Sequence, residues 1–171
     1  ACALKFKRPV YLEVPRDMVF AEIECGGDFR DVELKVNEGA LEQASQEIVL
    51  RFQASQQPVL LVGVEAHRFK LQDKILRLAE SLKVPVASSF LGRGTFPIRH
   101  EQFIGTYLGT VSPDPMRQII ENSDCLLMLG VLMTDVSLGI PPDSINPKKT
   151  ILCVSRNVTI HENVYQDVPL G

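Results

Sequence analysis

In an alternating helix–strand chain, chemistry is carried by glycines, acids and basic groups just past the strand ends. The candidates here are Gly63, Gly92, Arg93, Gly130 and Asp135. A glycine after a strand lets backbone approach a pyrophosphate closely, and the G-x-G-x-x-G turn is the dinucleotide-binding form of that device. This chain has no such turn. Gly63-Val64-Glu65-Ala66 offers a single glycine after an apolar run. Gly92-Arg93-Gly94 leads into Thr95-Phe96-Pro97, which breaks a helix, so it reads as a turn. Asp135, in Gly130-Val131-Leu132-Met133-Thr134-Asp135, either faces a ligand crevice or caps a loop by accepting local N–H groups. With no ligand to hold, the capping role is the simpler reading.

Nucleophilic and metal chemistry find less support. His67, His100 and His161 are tied to no serine or cysteine by any motif, and no G-x-S-x-G elbow exists. Ser88-Ser89 closes a strand without a histidine partner in sequence. The cysteines Cys2, Cys25, Cys125 and Cys153 form no C-x-x-C pair, which argues against zinc. Cys125 and Cys153 lie in the apolar runs Leu126-Leu127-Met128-Leu129 and Ile151-Leu152, as small buried thiols do.

The elements that must position these residues follow from periodicity. Asn37 caps a helix on which Leu41, Ala44, Ile48 and Phe52 share one face. Val59-Leu60-Leu61-Val62-Gly63 is a strand buried on both sides. A helix follows with Leu71, Ile75, Leu78, Ala79 and Leu82 inward, then a strand over Val84-Pro85-Val86-Ala87-Ser88. Ser112-Pro113-Asp114 starts a helix with Ser112 as cap and Met116, Ile119 and Ile120 inward. Asp124 to Gly130 is a buried strand, Pro141-Pro142-Asp143 opens a loop, and Thr150 to Ser155 is the next strand. Val158-Thr159-Ile160 is an extra extended piece. Helices between strands supply parallel crossovers, so residues 37–171 predict a Rossmann-like, doubly wound α/β domain with a mainly parallel sheet and helices on both faces. Residues 8–14 read as a strand closed by Pro15, and 19–36, with Gly26-Gly27, as a linker.

A net charge of −3 gives no electrostatic reason to expect nucleic acid or an anionic membrane as partner. No apolar run is long enough to span a bilayer. The absence of a basic-then-apolar leader makes the cytoplasm the expected compartment.

Three stretches resemble the pyruvate and indolepyruvate decarboxylase group of thiamine-diphosphate enzymes. Arg8-Pro9-Val10-Tyr11-Leu12-Glu13-Val14 through Met18 is similar to the closing strand of that family's pyrimidine-binding domain. Leu91-Gly92-Arg93-Gly94-Thr95-Phe96-Pro97, continuing through Phe103-Ile104-Gly105-Thr106-Tyr107-Leu108-Gly109, is similar to its Gly-Lys-Gly segment and the Gly-x-Tyr-x-Gly run after it. Glu121 to Gly130, with Thr134-Asp135, resembles a strand and turn of the family's middle domain.

The resemblance implies a domain plan: 1–18 the tail of a pyrimidine-binding domain, 19–36 a linker, and 37–171 the central domain. It implies thiamine diphosphate and Mg2+ for the parent enzyme and none in this chain. The family's Gly-Asp-Gly metal motif is missing, since Gly26-Gly27-Asp28 has the wrong order. The chain alone is then expected to be inactive, with the flanking pyrimidine- and pyrophosphate-binding domains as partners in a homo-oligomer. The alternative is a regulatory domain binding ADP or a flavin. Arg156-Asn157 stands where such a domain would carry an acid for the ribose, which favours the structural role. A sirtuin-like deacylase would need paired zinc cysteines and a glycine-rich nicotinamide site, and neither is visible.

Overall fold

The structure is a computed structural model that describes residues 2–22, 24, 34–135 and 144–170. The chain divides into two units, Ala1–Lys35 and Val36–Gly171. The described part of the first holds helix α1 (Cys2–Phe6) and a 3-10 turn at Arg16–Met18. Residues 8–14, expected as a strand, adopt neither helix nor strand. A lone strand in water keeps its backbone groups unpaired, and no partner strand lies among the described residues of this unit. The Gly26-Gly27 turn, most of the expected linker and the loop opening at Pro141-Pro142-Asp143 lie outside the described residues.

In the second unit Asn37 begins α2 (Glu38–Ala54), its side chain accepting the Ala40 N–H at 3.1 Å. Ala44 is buried against the sheet, with Leu41, Ile48 and Phe52 partly buried beside it. Next come β1 (Pro58–Val62), α3 (Val64–Arg68), α4 (Gln72–Leu82), β2 (Val86–Ser89) and β3 (Phe103–Tyr107). Then follow α5 (Asp114–Glu121), β4 (Cys125–Leu129), β5 (Thr150–Val154), β6 (Asn157–Ile160) and β7 (Asn163–Gln166).

The described strands make one sheet in the order β3-β2-β1-β4-β5-β6-β7. β3, β2, β1, β4 and β5 run parallel, while β6 and β7 fold back antiparallel. β1 and β4 are the central pair, in register from Pro58↔Cys125 to Val62↔Leu129. The strand order reverses between them, and a crevice at the carboxyl ends is expected at that point.

Pleating sends alternate side chains to two cores. Leu60, Val62, Leu127, Leu129, Ile151 and Cys153 pack beneath α2 and α4. Val59, Leu61, Ala87, Leu126 and Met128 pack with Met116 and Ile120 of α5 and with Val131 and Ile145. Helices thus cover both faces, and the doubly wound reading holds.

Local differences have physical causes. Ser112 does not cap α5: its hydroxyl accepts the Leu108 N–H at 2.6 Å, and the helix begins beyond Pro113 without a side-chain cap. Leu78, Leu82 and Ile119 are 36%, 37% and 43% exposed, because each stands at the flank of its helix's apolar stripe. β3 carries a bulge opposite Val86/Ala87, with Gly105 at φ +136°. A side chain there would meet the Met116 sulfur at 2.6 Å. A glycine that interrupts the alternation hides this strand from a periodicity argument.

Candidate functional site

Buried β1 and β4 both stop at a glycine because the chains must pass each other at the switch point. The Gly63 N–H donates to the Leu129 carbonyl at 2.8 Å, and the Gly130 N–H to that of Cys153 at 2.7 Å. A β-carbon on Gly63 would lie 2.1 Å from the Gly130 carbonyl oxygen and 2.4 Å from the Val131 Cα. One on Gly92 would lie 2.5 Å from the Val62 oxygen and 2.9 Å from the Gly63 Cα. Gly130, at φ +69°, would place one 2.7 Å from the Ala66 nitrogen. The structure therefore brings Gly63, Gly92 and Gly130 together. Backbone of Gly130, Val131, Val62 and Gly63 lies where side chains on Gly63 and Gly92 would stand, and Ala66, Glu65 and Leu170 crowd that position at Gly130.

Arg93 and Asp135 do not join them. Both are exposed, and the Arg93 guanidinium sits 5.9 Å from the centre of the Phe90 ring.

Glu65 crosses the mouth of this crevice. It follows Gly63 into α3 and has no exposed surface. Its N–H donates to the Gly130 carbonyl at 3.1 Å. Its carboxylate reaches over the end of β4 to the turn after β5, where Oε2 accepts the Ser155 N–H at 2.8 Å and Oε1 the Ser155 hydroxyl at 3.4 Å. Ser155 and Arg156 join β5 to β6 in a two-residue hairpin with φ +55° and +65°. That is the left-handed pattern usually given to Asn-Gly. Arg156 is itself buried, its Nε 3.7 Å from Asp167 and its carbonyl accepting the Val168 N–H at 2.9 Å. Glu65 belongs to no sequence motif. Its partner lies far along the chain, so no local signal marks the pair.

The remaining polar groups are used locally. The Ser88 and Thr106 hydroxyls pair at 3.0 Å, and Ser89 accepts the Gly92 N–H at 3.2 Å. Buried Tyr107 donates to Glu121 at 2.9 Å and lies 3.1 Å from the Ser144 hydroxyl. Burial pushes its phenol up to about 12. His67 pairs with Gln72, His100 lies 3.6 Å from Glu80, and His161 contacts Arg51. At the amino end of the sheet Asp124 accepts from the Ser55 hydroxyl and from the Gln56 and Gln57 N–H groups at 2.8 and 2.9 Å. Led by the Ser55 hydroxyl, these bonds hold its carboxyl below the usual range.

Among the described residues no group of His, Cys, Asp or Glu is placed to hold a metal ion. This donor set does not fit a magnesium–diphosphate group. No helix among them is long and apolar enough to cross a membrane.

An open groove lies elsewhere. A groove of about 540 Å³ runs between α2 and α4, floored by Leu127, Leu129 and Cys153 and edged by Val49, Leu78 and Leu82. Its walls are mostly apolar, with Ser45 and Gln53 among them. Burial pushes the Cys153 thiol up to about 12, so it stays neutral.

The comparisons with known proteins agree with this geometry. Residues 45–170 match the family model described as thiamine pyrophosphate enzyme, central domain. The chain is 37% identical over 169 residues to indole-3-pyruvate decarboxylase of Azospirillum brasilense, covering 99% of this chain and 31% of that enzyme. It is 30% identical over 165 residues to a pyruvate decarboxylase of Aspergillus fumigatus, covering 94% of this chain and 29% of the relative. With the pyruvate decarboxylase of Hanseniaspora uvarum the figures are 29% over 136 residues, 78% and 24%. The chain thus spans less than a third of the length of these relatives. A parallel sheet with helices on both faces and a family match across most of Val36–Gly171 lead to one assignment: this chain belongs to the thiamine pyrophosphate enzyme central-domain family.

Proposed function

We propose that the chain serves as the non-catalytic central domain of a thiamine-diphosphate-dependent 2-keto acid decarboxylase. In that role 37–171 is the central domain, 1–18 the tail of a preceding pyrimidine-binding domain and 19–36 the connection. The domain holds the two cofactor-binding domains in place within a cytoplasmic homo-oligomer. Thiamine diphosphate and Mg2+ belong to those flanking domains and supply the carbanion chemistry there. The observation that carries this reading is the family match over residues 45–170. Close backbone packing at Gly63 and Gly92 and the Glu65–Ser155 bond at the strand ends support it.

The test has two readouts. With thiamine diphosphate, Mg2+ and either pyruvate or indolepyruvate, the purified chain should release no aldehyde. With ADP or a flavin dinucleotide its melting temperature should not move, because a ligand that binds only the native state raises stability. Turnover would overturn the non-catalytic assignment. A saturable shift with ADP or flavin would favour a regulatory nucleotide site, to be sought first at Gly63, Gly92, Arg93, Gly130 and Asp135.

A further inference from the structure

We propose that the β5–β6 turn is a carboxylate-binding site occupied in cis by Glu65, so that an internal ligand holds the crevice shut. The turn presents the Ser155 N–H and hydroxyl to the two oxygens of one carboxylate. The pair is long-range, joining α3, which follows β1, to the turn after β5, with β4 lying between the two strands. Glu65 is fully buried, and a buried carboxylate is tolerated only where hydrogen bonds replace its water. Ser155 and Arg156 both hold left-handed backbone without glycine, a conformation that costs energy unless the surroundings impose it. The carboxylate that grips the Ser155 N–H supplies that imposition. The inference does not depend on which enzyme the domain serves.

A glutamate side chain beyond its β-carbon has the heavy atoms of acetate. Glu65→Ala in the full chain should therefore leave a vacancy that acetate fits. The variant should melt about 5 to 10 °C below the parent, the scale of losing charge-assisted buried hydrogen bonds. Sodium acetate should restore part of that loss saturably, by about 3 °C, an effect expected at roughly tenfold excess over the dissociation constant. The parent chain in the same salt should show no such saturable gain, and neutral acetamide should rescue the variant poorly. In the amide spectrum the Ser155 N–H should shift with acetate in the variant alone. Equal effects of acetate on parent and variant, or equal rescue by acetamide, would overturn the proposal. If Glu65→Ala does not fold unaided, its refolding yield with and without acetate gives the same readout. Glu65→Gln keeps the shape and removes the charge. It should melt below the parent and ignore acetate, and a Gln variant as stable as the parent would also overturn the proposal.

Discussion

Two carboxylates perform the same task at opposite ends of the parallel sheet. Glu65, at the carboxyl end, accepts from the Ser155 turn and is fully buried. Asp124, at the amino end, accepts from Gln56 and Gln57 and is exposed. Water can replace the bonds of the exposed acid but cannot reach those of the buried one. Asp124 therefore trims the stability of a loop, whereas Glu65 ties α3 to the turn after β5. Around Glu65 the stacked glycines leave no slack, and around Asp124 nothing comparable is packed. The same hydrogen-bonding chemistry has local consequences at one end and architectural ones at the other.

The largest expected break of this contrast is Gly63→Ala. Its β-carbon would enter the Gly130 carbonyl, so β1 and β4 must part at their ends. A loss of about 4 kcal/mol is expected in urea unfolding, at the severe end for single substitutions. A loss under about 1 kcal/mol would mean that β1 and β4 pack more loosely at their ends.

Tyr107→Phe tests a third carboxylate, Glu121, that accepts a buried hydroxyl. Losing that donor should cost about 2 kcal/mol. The phenol's folded value, about 12, lies above its ordinary 10.0, chiefly through burial. The contribution is therefore full below pH 10 and lost as pH rises toward 12. Urea midpoints across that window should fall for the parent, and the Phe variant should lack this part of the fall.

Asp124→Ala should cost about 1 kcal/mol, as loss of a capping carboxylate does. Its folded carboxyl titrates below the ordinary 3.8, so the folded state binds fewer protons there than the unfolded state. Its stabilisation is present above that value and lost as pH falls through the folded one. Replacement by Ala should flatten the acid limb of the midpoint–pH curve. An unchanged limb would remove the exposed acid from the comparison.

The smallest effect is expected at the groove. Leu78→Ala, at a half-exposed edge, should cost about 0.5 kcal/mol, within the ordinary range for surface positions. Leu60→Ala, buried beneath α2 and α4, should cost about 3 kcal/mol.

Much of the frame was readable from the residues. Val59 to Val62 and Cys125 to Leu129 are continuous apolar runs, and both are strands buried on each face. Asn37 caps its helix as its type implies. Cys125 and Cys153 are buried, as their apolar neighbours suggested. β3 was hidden by the Gly105 bulge, and β7 is a short exposed strand with little pattern to read. The places of Gly63, Gly92 and Gly130, after strands and in a turn, are legible in the sequence, whereas nothing local marks Glu65.

Strand and helix periodicity, glycine placement and capping chemistry are local, so the sequence by itself determined the class of fold, the central strands and the glycines at their ends. How closely the backbones pass at those glycines depends on how β1, β2 and β4 meet, and only the tertiary structure decided that. The same holds for the partner of Glu65. Ser155 follows a strand that lies two places away in the sheet and far along the chain. A contact between residues so separated leaves no periodic trace, because it exists only once the strand order has been set.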